Sequence, residues 1–176
     1  LQGLASDINR LAAGTPTLAT PWLTSWWEAY GSDAATGDAQ LELCCLAVYD
    51  SKQDAKMIGF APFCRRVSRQ KGTVLRWVGS GEVYSDYLTL LAEPGREDDV
   101  VGQVAEWLLD NSTQRWDTIE LDGVAERDAA VLKLVLRMQQ AGHSIYVRGD
   151  ADCWQLQLDA DWEQYLKRLS KSHRKQ

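Results

Sequence analysis

Apolar and polar positions alternate along the chain with two different periods, and each period predicts a kind of element. In TPWLTSWWEAYG, residues Leu23, Trp26, Trp27 and Tyr30 fall at helical spacing on one face. Thr20 suits the cap of that helix, Pro21 its first turn and Gly31 its stop. The period then shortens to that of strands. LELCCLAVYD (Leu41–Asp50) and KMIGFAPFCRRV (Lys56–Val67) flank the polar turn SKQDA, as the arms of an antiparallel hairpin would. Pro62 inside the second arm predicts an edge or a bulge there, because proline has no N–H for the ladder. TVLRWVG and YLTLLA read as two further strands, separated by the loop SGEVYSD.

The second half alternates helix and strand. EDDVVGQVAEWLLDNS predicts a helix with Val100, Val104, Trp107 and Leu108 inward, and DTIELDGV a strand. ERDAAVLKLVLRMQQAG follows as a helix closed by Gly142. HSIYVRG and DCWQLQL read as strands, the second burying Trp154, Leu156 and Leu158. A last helix starts near Asp161, with Gln164 as its capping-box partner and Trp162, Tyr165, Leu166 and Leu169 as a core-facing stripe. The order α-β-β-β-α-β-α-β-β plus a C-terminal helix predicts an α/β (α+β) fold, one mixed sheet with helices on both faces. Residues 1–160 form a single domain in this reading, and 161–176 begin an amphipathic basic helix.

Composition narrows the function classes. The chain is 45% hydrophobic and 25% charged over 176 residues, enough for one sizeable core. No apolar run approaches the roughly 20 residues that span a bilayer, and cysteines that read as free, reduced thiols make the expected location cytoplasmic. Net charge is −6, while Lys167, Arg168, Lys171, Arg174 and Lys175 crowd the end with no acid among them. The rest is therefore more acidic than the whole. Since the Debye length is only about 8 Å at physiological salt, such a body repels a phosphate backbone beyond the tail's reach. Nucleic acid is not an expected partner. Cys44, Cys45, Cys64 and Cys153 show no metal-ligand spacing, and adjacent strand positions point to opposite faces, so they read as inert thiols of a reduced protein.

Little in the chain supports hydrolytic chemistry. Its two histidines are His143, at a helix-to-strand join, and His173, in the basic tail. GSGE (Gly79–Glu82) is neither a nucleophile elbow nor a phosphate-binding loop. SGEVYSDYLTL is the richest segment, gathering polar and aromatic side chains at the mouth of a strand. Tyr84, Asp86 and Tyr87 are the candidate substrate-binding residues there, with Arg65 and Arg66 as contacts for an anionic group.

The element order resembles the GNAT acetyltransferase fold. WWEAYG, IGFAPF, LRWVGSGEVYSDYLTLLAEPG, WDTIELDGV and WEQYLKRLSKSHRKQ resemble the CelD-type, FemAB-like acetyltransferase family linked to cellulose and exopolysaccharide biosynthesis. That resemblance implies two GNAT-like halves, of which this chain is the first, and an acyl-CoA donor for the full-length protein. Family members hold the CoA pyrophosphate at a helix start, on a motif similar to Q/R-x-x-G-x-G/A. The matching place here reads EPGREDDVVGQ, with Glu97, Asp98 and Asp99 in the first turn, and the next helix start carries Glu126 and Asp128. Those acids would repel a pyrophosphate. The expectation is therefore that no cofactor binds this chain and that the donor site lies in a C-terminal GNAT-like domain of the same protein. A small-molecule or glycan-type acceptor would bind here. Two other readings remain: a non-catalytic binding or scaffold module on a degenerate GNAT fold, and a membrane-surface module using the basic tail.

Overall fold

Residues 39–68 fold back on themselves as one antiparallel ladder. The structure is a computed structural model, and it describes residues 1–31, 39–50, 56–81, 83, 85–110, 116–149, 156 and 159–170. Strands β1 (Ala39–Leu43) and β2 (Leu46–Tyr49) face β4 (Phe63–Ser68) and β3 (Met57–Ala61) respectively. Leu43 pairs with Cys64 and Leu46 with Ala61, so both sides advance equally and the register survives the gap. The gap falls at Pro62, which has no N–H to donate. Its carbonyl still accepts from Val78 N–H at 2.7 Å, and Cys44 N–H still reaches Phe63 O at 2.9 Å.

Two sheets result, where the hydropathy pattern predicts one. β1-β4-β5-β7 form the first, with β5 (Gly72–Trp77) antiparallel to β4 and β7 (Thr118–Glu120) parallel to β5. β2-β3-β6 form the second, with β6 (Leu91–Ala92) antiparallel to β3. The break at Pro62 is the physical cause of the division. Among the described residues there are five α-helices: α1 (Ala5–Ala12), α2 (Thr20–Tyr30), α3 (Glu97–Leu109), α4 (Ala129–Gln140) and α5 (Trp162–Arg168).

The core lies against β3, whose five residues are all buried. A strand buried throughout must be covered on both faces. α3 packs on it so closely that a Cβ at Gly59 would lie 2.4 Å from Val100 Cγ2. α3 buries Val100, Val101, Val104, Ala105 and Leu108. α1 brings Ile8, Leu11 and Ala12 and packs on β3 and β6, an element the apolar pattern did not announce. Arg10 fastens it by donating to Met57 O at 2.6 Å. Phe63 and Trp77 stack at 4.8 Å, both fully buried. At about 25 cal/mol per Å², burying a tryptophan contributes roughly 4–6 kcal/mol before entropy.

Helix ends show where local sequence rules apply. Asp128 caps α4 by accepting from Val131 N–H at 2.9 Å. At the other end Gly142, at φ 92°, donates to Gln139 O, and His143 N–H reaches back to Met138 O. Thr20 is not the cap of α2 as expected but its first residue. Asn9, from α1, accepts Thr20 N–H at 2.9 Å, and the Thr20 hydroxyl turns to Ala5 O. A neighbouring helix does the capping.

The chain divides into two compact units, Leu1–Ile145 and Tyr146–Gln176. HSIYVRG, expected as a strand, takes no strand conformation over His143–Gly149. An extended segment needs a ladder partner. Among the described residues none pairs with it, and Tyr146 is 89% exposed. Most of DCWQLQL lies outside the described residues. In α5, Asp161 accepts from Gln164 N–H at 2.8 Å, as its position predicts. Its apolar stripe is not core-facing, however: α5 has no buried residue, and Trp162 stands 66% exposed with its ring 5.1 Å from that of Tyr165. A helix of seven residues in a unit with no buried described residue has nothing to face. Among the described residues, no helix is long and apolar enough to cross a membrane.

Candidate functional site

β5 and β6 lie along neighbouring stretches of one path. Val78 is bonded to Pro62, and Leu91 pairs with Phe60, so the chain leaves the ladder at Val78 and rejoins it almost where it left. Among the described residues, 79–81, 83 and 85–90 run between these two points. This is the segment singled out by its polar and aromatic content, here a loop returning into a short strand rather than a loop before a long one. Leu88 and Leu90 turn inward, 0% and 3% exposed, and hold its returning limb in the core. Asp86 and Tyr87 stand exposed at its tip.

Four attachments hold that tip. At the base, the Ser80 hydroxyl donates to Trp77 O at 2.8 Å and accepts from Arg76 Nε at 2.7 Å. Further along, Trp22 of α2 donates its indole N–H to the buried Ser85 hydroxyl at 3.1 Å. The Thr17 hydroxyl donates to Asp86 O at 2.9 Å. Leu88 N–H reaches Gly123 O at 3.0 Å, just past β7. Gly123 has φ 69°, and a Cβ there would lie 2.4 Å from Ser85 O, so only glycine lets the loop come this close. Tyr87 is itself at φ 61°. A left-handed L-residue costs roughly 1–2 kcal/mol, and strain held in place by surrounding bonds is a mark of functional loops.

The sequence-derived candidates separate into two groups. Asp86 and Tyr87 come together at the loop tip, while Tyr84 lies outside the described residues. Arg65 and Arg66 lie on β4, opposite Leu75 and Val74. As strand neighbours they point to opposite faces and do not form one anion clamp. Arg65 is engaged across the strands by Glu42, its pairing partner on β1, with only 18% of its side chain exposed. Arg66 is exposed and shares a face with Arg76, since their partners Val74 and Cys64 set the two arginines a diagonal apart. Arg76 and Trp22 are the residues that sequence reasoning passed over. The signal for Trp22 was available: it falls off the face that carries Leu23 and Trp26.

Both helix starts are taken up by the chain's own groups. At α3, Arg96 binds the buried Asp50 and also Asp99, each at 2.6 Å. Those carboxylates hold the guanidinium even more firmly protonated than usual. Lys133 of α4 pairs with Asp98 at 2.6 Å and lowers its pKa, and Glu97 accepts Gly95 N–H at 3.1 Å. Asp128 fills the α4 start. Carboxylates therefore crowd both starts: at α4 Asp128 accepts a first-turn amide, while at α3 Asp98 and Asp99 are paired with Lys133 and Arg96 and cap no amide.

Two of the described thiols are held protonated. Burial pushes the thiols of Cys45 and Cys64 up to about 12, and each donates to a backbone carbonyl, Phe63 O and Trp77 O. His143 rests against Trp116 with ring centres 5.4 Å apart. Among the described residues no group of three His, Cys, Asp or Glu is placed to hold a metal ion.

The described residues thus define a mixed α/β protein with two sheets and a loop pinned from α2, β5 and the end of β7. Comparison with family models, curated proteins and solved structures finds no match.

Proposed function

We propose that this chain is the GNAT-like N-terminal half of an acyltransferase acting on a cell-envelope or polysaccharide-type acceptor. In this reading its share of the work is acceptor binding at the loop of residues 79–90. The observation that carries it is a strained, pinned loop together with helix starts that carry acids, Asp98 and Asp99 at α3 and Asp128 at α4, which disfavour a pyrophosphate. The run of α2, an antiparallel ladder, α3, the parallel strand β7 and α4 supports that reading over part of the expected order, to which α1 is an addition. An acyl-CoA donor would then be held by a second GNAT-like domain of the same protein.

Calorimetric titration with acetyl-CoA tests the division of labour. The 176-residue chain should give no saturable heat, whereas the parent protein should bind and transfer the acyl group. Tight binding of acetyl-CoA by this chain alone would refute the assignment. These acid-lined helix starts equally favour a second reading, a non-catalytic binding module on a degenerate fold. A parent that binds no acyl-CoA anywhere would decide for it.

A further inference from the structure

Among the described residues three cations are half-buried, Arg65, Arg76 and Arg96. Two of them carry their counter-charge with them: Arg65 is engaged by Glu42, and Arg96 by Asp50 and Asp99. Arg76 pairs with no carboxylate among the described residues, although Glu120 stands opposite it on β7. Withdrawing a charge from water is costly unless an opposite charge meets it. Arg76 is therefore the described cation whose burial is least repaid within the chain.

What Arg76 has instead is a mount. Its Nε–H donates to the Ser80 hydroxyl at 2.7 Å, and Ser80, only 4% exposed, is anchored by donating to Trp77 O at 2.8 Å. One edge of the guanidinium lies against Gly81, where a Cβ would stand 3.1 Å from Nη2. Gly81 is at φ 98° and exposed, so a side chain is absent where it would crowd that edge, and solvent reaches it. With Nε occupied, the two Nη groups present parallel donors, the fork that matches the two oxygens of a carboxylate. Holding the fork in place beforehand lowers the entropy cost of docking. Phosphate also suits a guanidinium, but its second charge would lie beside Glu120 in a chain of net charge −6. We infer that Arg76, mounted on Ser80 and seated against Gly81, is a binding site for a ligand carboxylate. The site needs neither an acyl donor nor a second domain, so it stands or falls apart from the acyltransferase reading.

NMR titration of the isotope-labelled 176-residue chain tests it, with sodium acetate as the probe, sodium chloride holding the ionic strength constant and inorganic phosphate as the competing anion. Acetate should shift the Gly81 amide and the Arg76 Nε–H signals saturably, and chloride should not. Arg76→Gln should abolish the Gly81 shift. Arg76→Lys keeps the charge but loses the fork, so it should weaken binding about tenfold or more; it carries the test if melting shows that Arg76→Gln does not fold. Arg69→Gln removes an exposed cation from the turn between β4 and β5 and should leave the affinity unchanged. No saturable shift with acetate, undiminished affinity in the Arg76 variants, an equal loss in Arg69→Gln, or tighter binding of phosphate than of acetate would each overturn the carboxylate site.

Discussion

Gly123→Ala is the sharpest test of how the loop is held. At φ 69° the new side chain incurs the left-handed penalty, about 1–2 kcal/mol. Its Cβ would also stand 2.4 Å from Ser85 O, a backbone atom that cannot rotate away. Overpacking of that kind adds about 1–3 kcal/mol. The sum is about 2–5 kcal/mol, and at about 2–4 °C per kcal/mol for a chain of this size the melting temperature should fall by roughly 4–20 °C. Gly95→Ala is the matched control. Gly95 has φ 80°, and a methyl group there would have no atom within 4 Å, so the variant should show the conformational penalty alone. Differential scanning calorimetry gives the stability difference. Hydrogen exchange at Leu88 N–H, the bond to Gly123 O, reports whether the loop has moved. Equal melting temperatures for the two variants, with Leu88 protection unchanged in Gly123→Ala, would refute the close approach.

Three further outcomes follow from the packing. Gly59→Ala should destabilise by about 1–3 kcal/mol, and in the double variant with Val100→Ala the effects should be non-additive by at least about 0.5 kcal/mol, because the obstructing atoms are Val100 Cγ1 and Cγ2; additivity in chemical denaturation would disprove the contact. Asp128→Ala should cost about 0.5–2 kcal/mol through loss of the α4 cap, while Thr20→Ala should leave the cap of α2 in place, since Asn9 supplies it; circular dichroism melts compare the two. Cys45 and Cys64 should resist iodoacetamide at about pH 8 until the protein is denatured, because burial holds both thiols protonated up to about 12. The sign for stability is fixed by the same shift: the unfolded thiols ionise from about pH 9 while the folded ones do not, so stability should fall as pH rises from 9 towards 12. Rapid labelling of the native protein would contradict that burial.

What could be read in advance was whatever one segment decides by itself. The cap Asp161 and the stop at Gly142 follow from local rules and are found in place, whereas Pro62, which predicts an edge or a bulge, instead divides two strands that are each central in their sheet. Failures occur where a distant residue intervenes. Thr20 carries the chemistry of a cap, but Asn9 reaches its amide first. The strand pattern of HSIYVRG is sound, but a strand exists only where a neighbour completes its ladder. Arg65 and Arg66 look like a pair in the sequence, and strand geometry alone separates them by face. The loop shows both sides of the rule at once. Its composition made Asp86 and Tyr87 visible, while the residues that fix it, Trp22, Thr17 and Gly123, come from elements that only the fold brings near. Since binding specificity depends on how rigidly groups are held as much as on which groups they are, the residues least legible in the sequence are those on which the loop's function should depend most. Ser85→Ala separates the two contributions. It changes no exposed group, yet it removes the bond that fixes the Trp22 indole, so the indole N–H should exchange faster in NMR while the fold stays intact; unchanged exchange would refute the bond that holds Trp22.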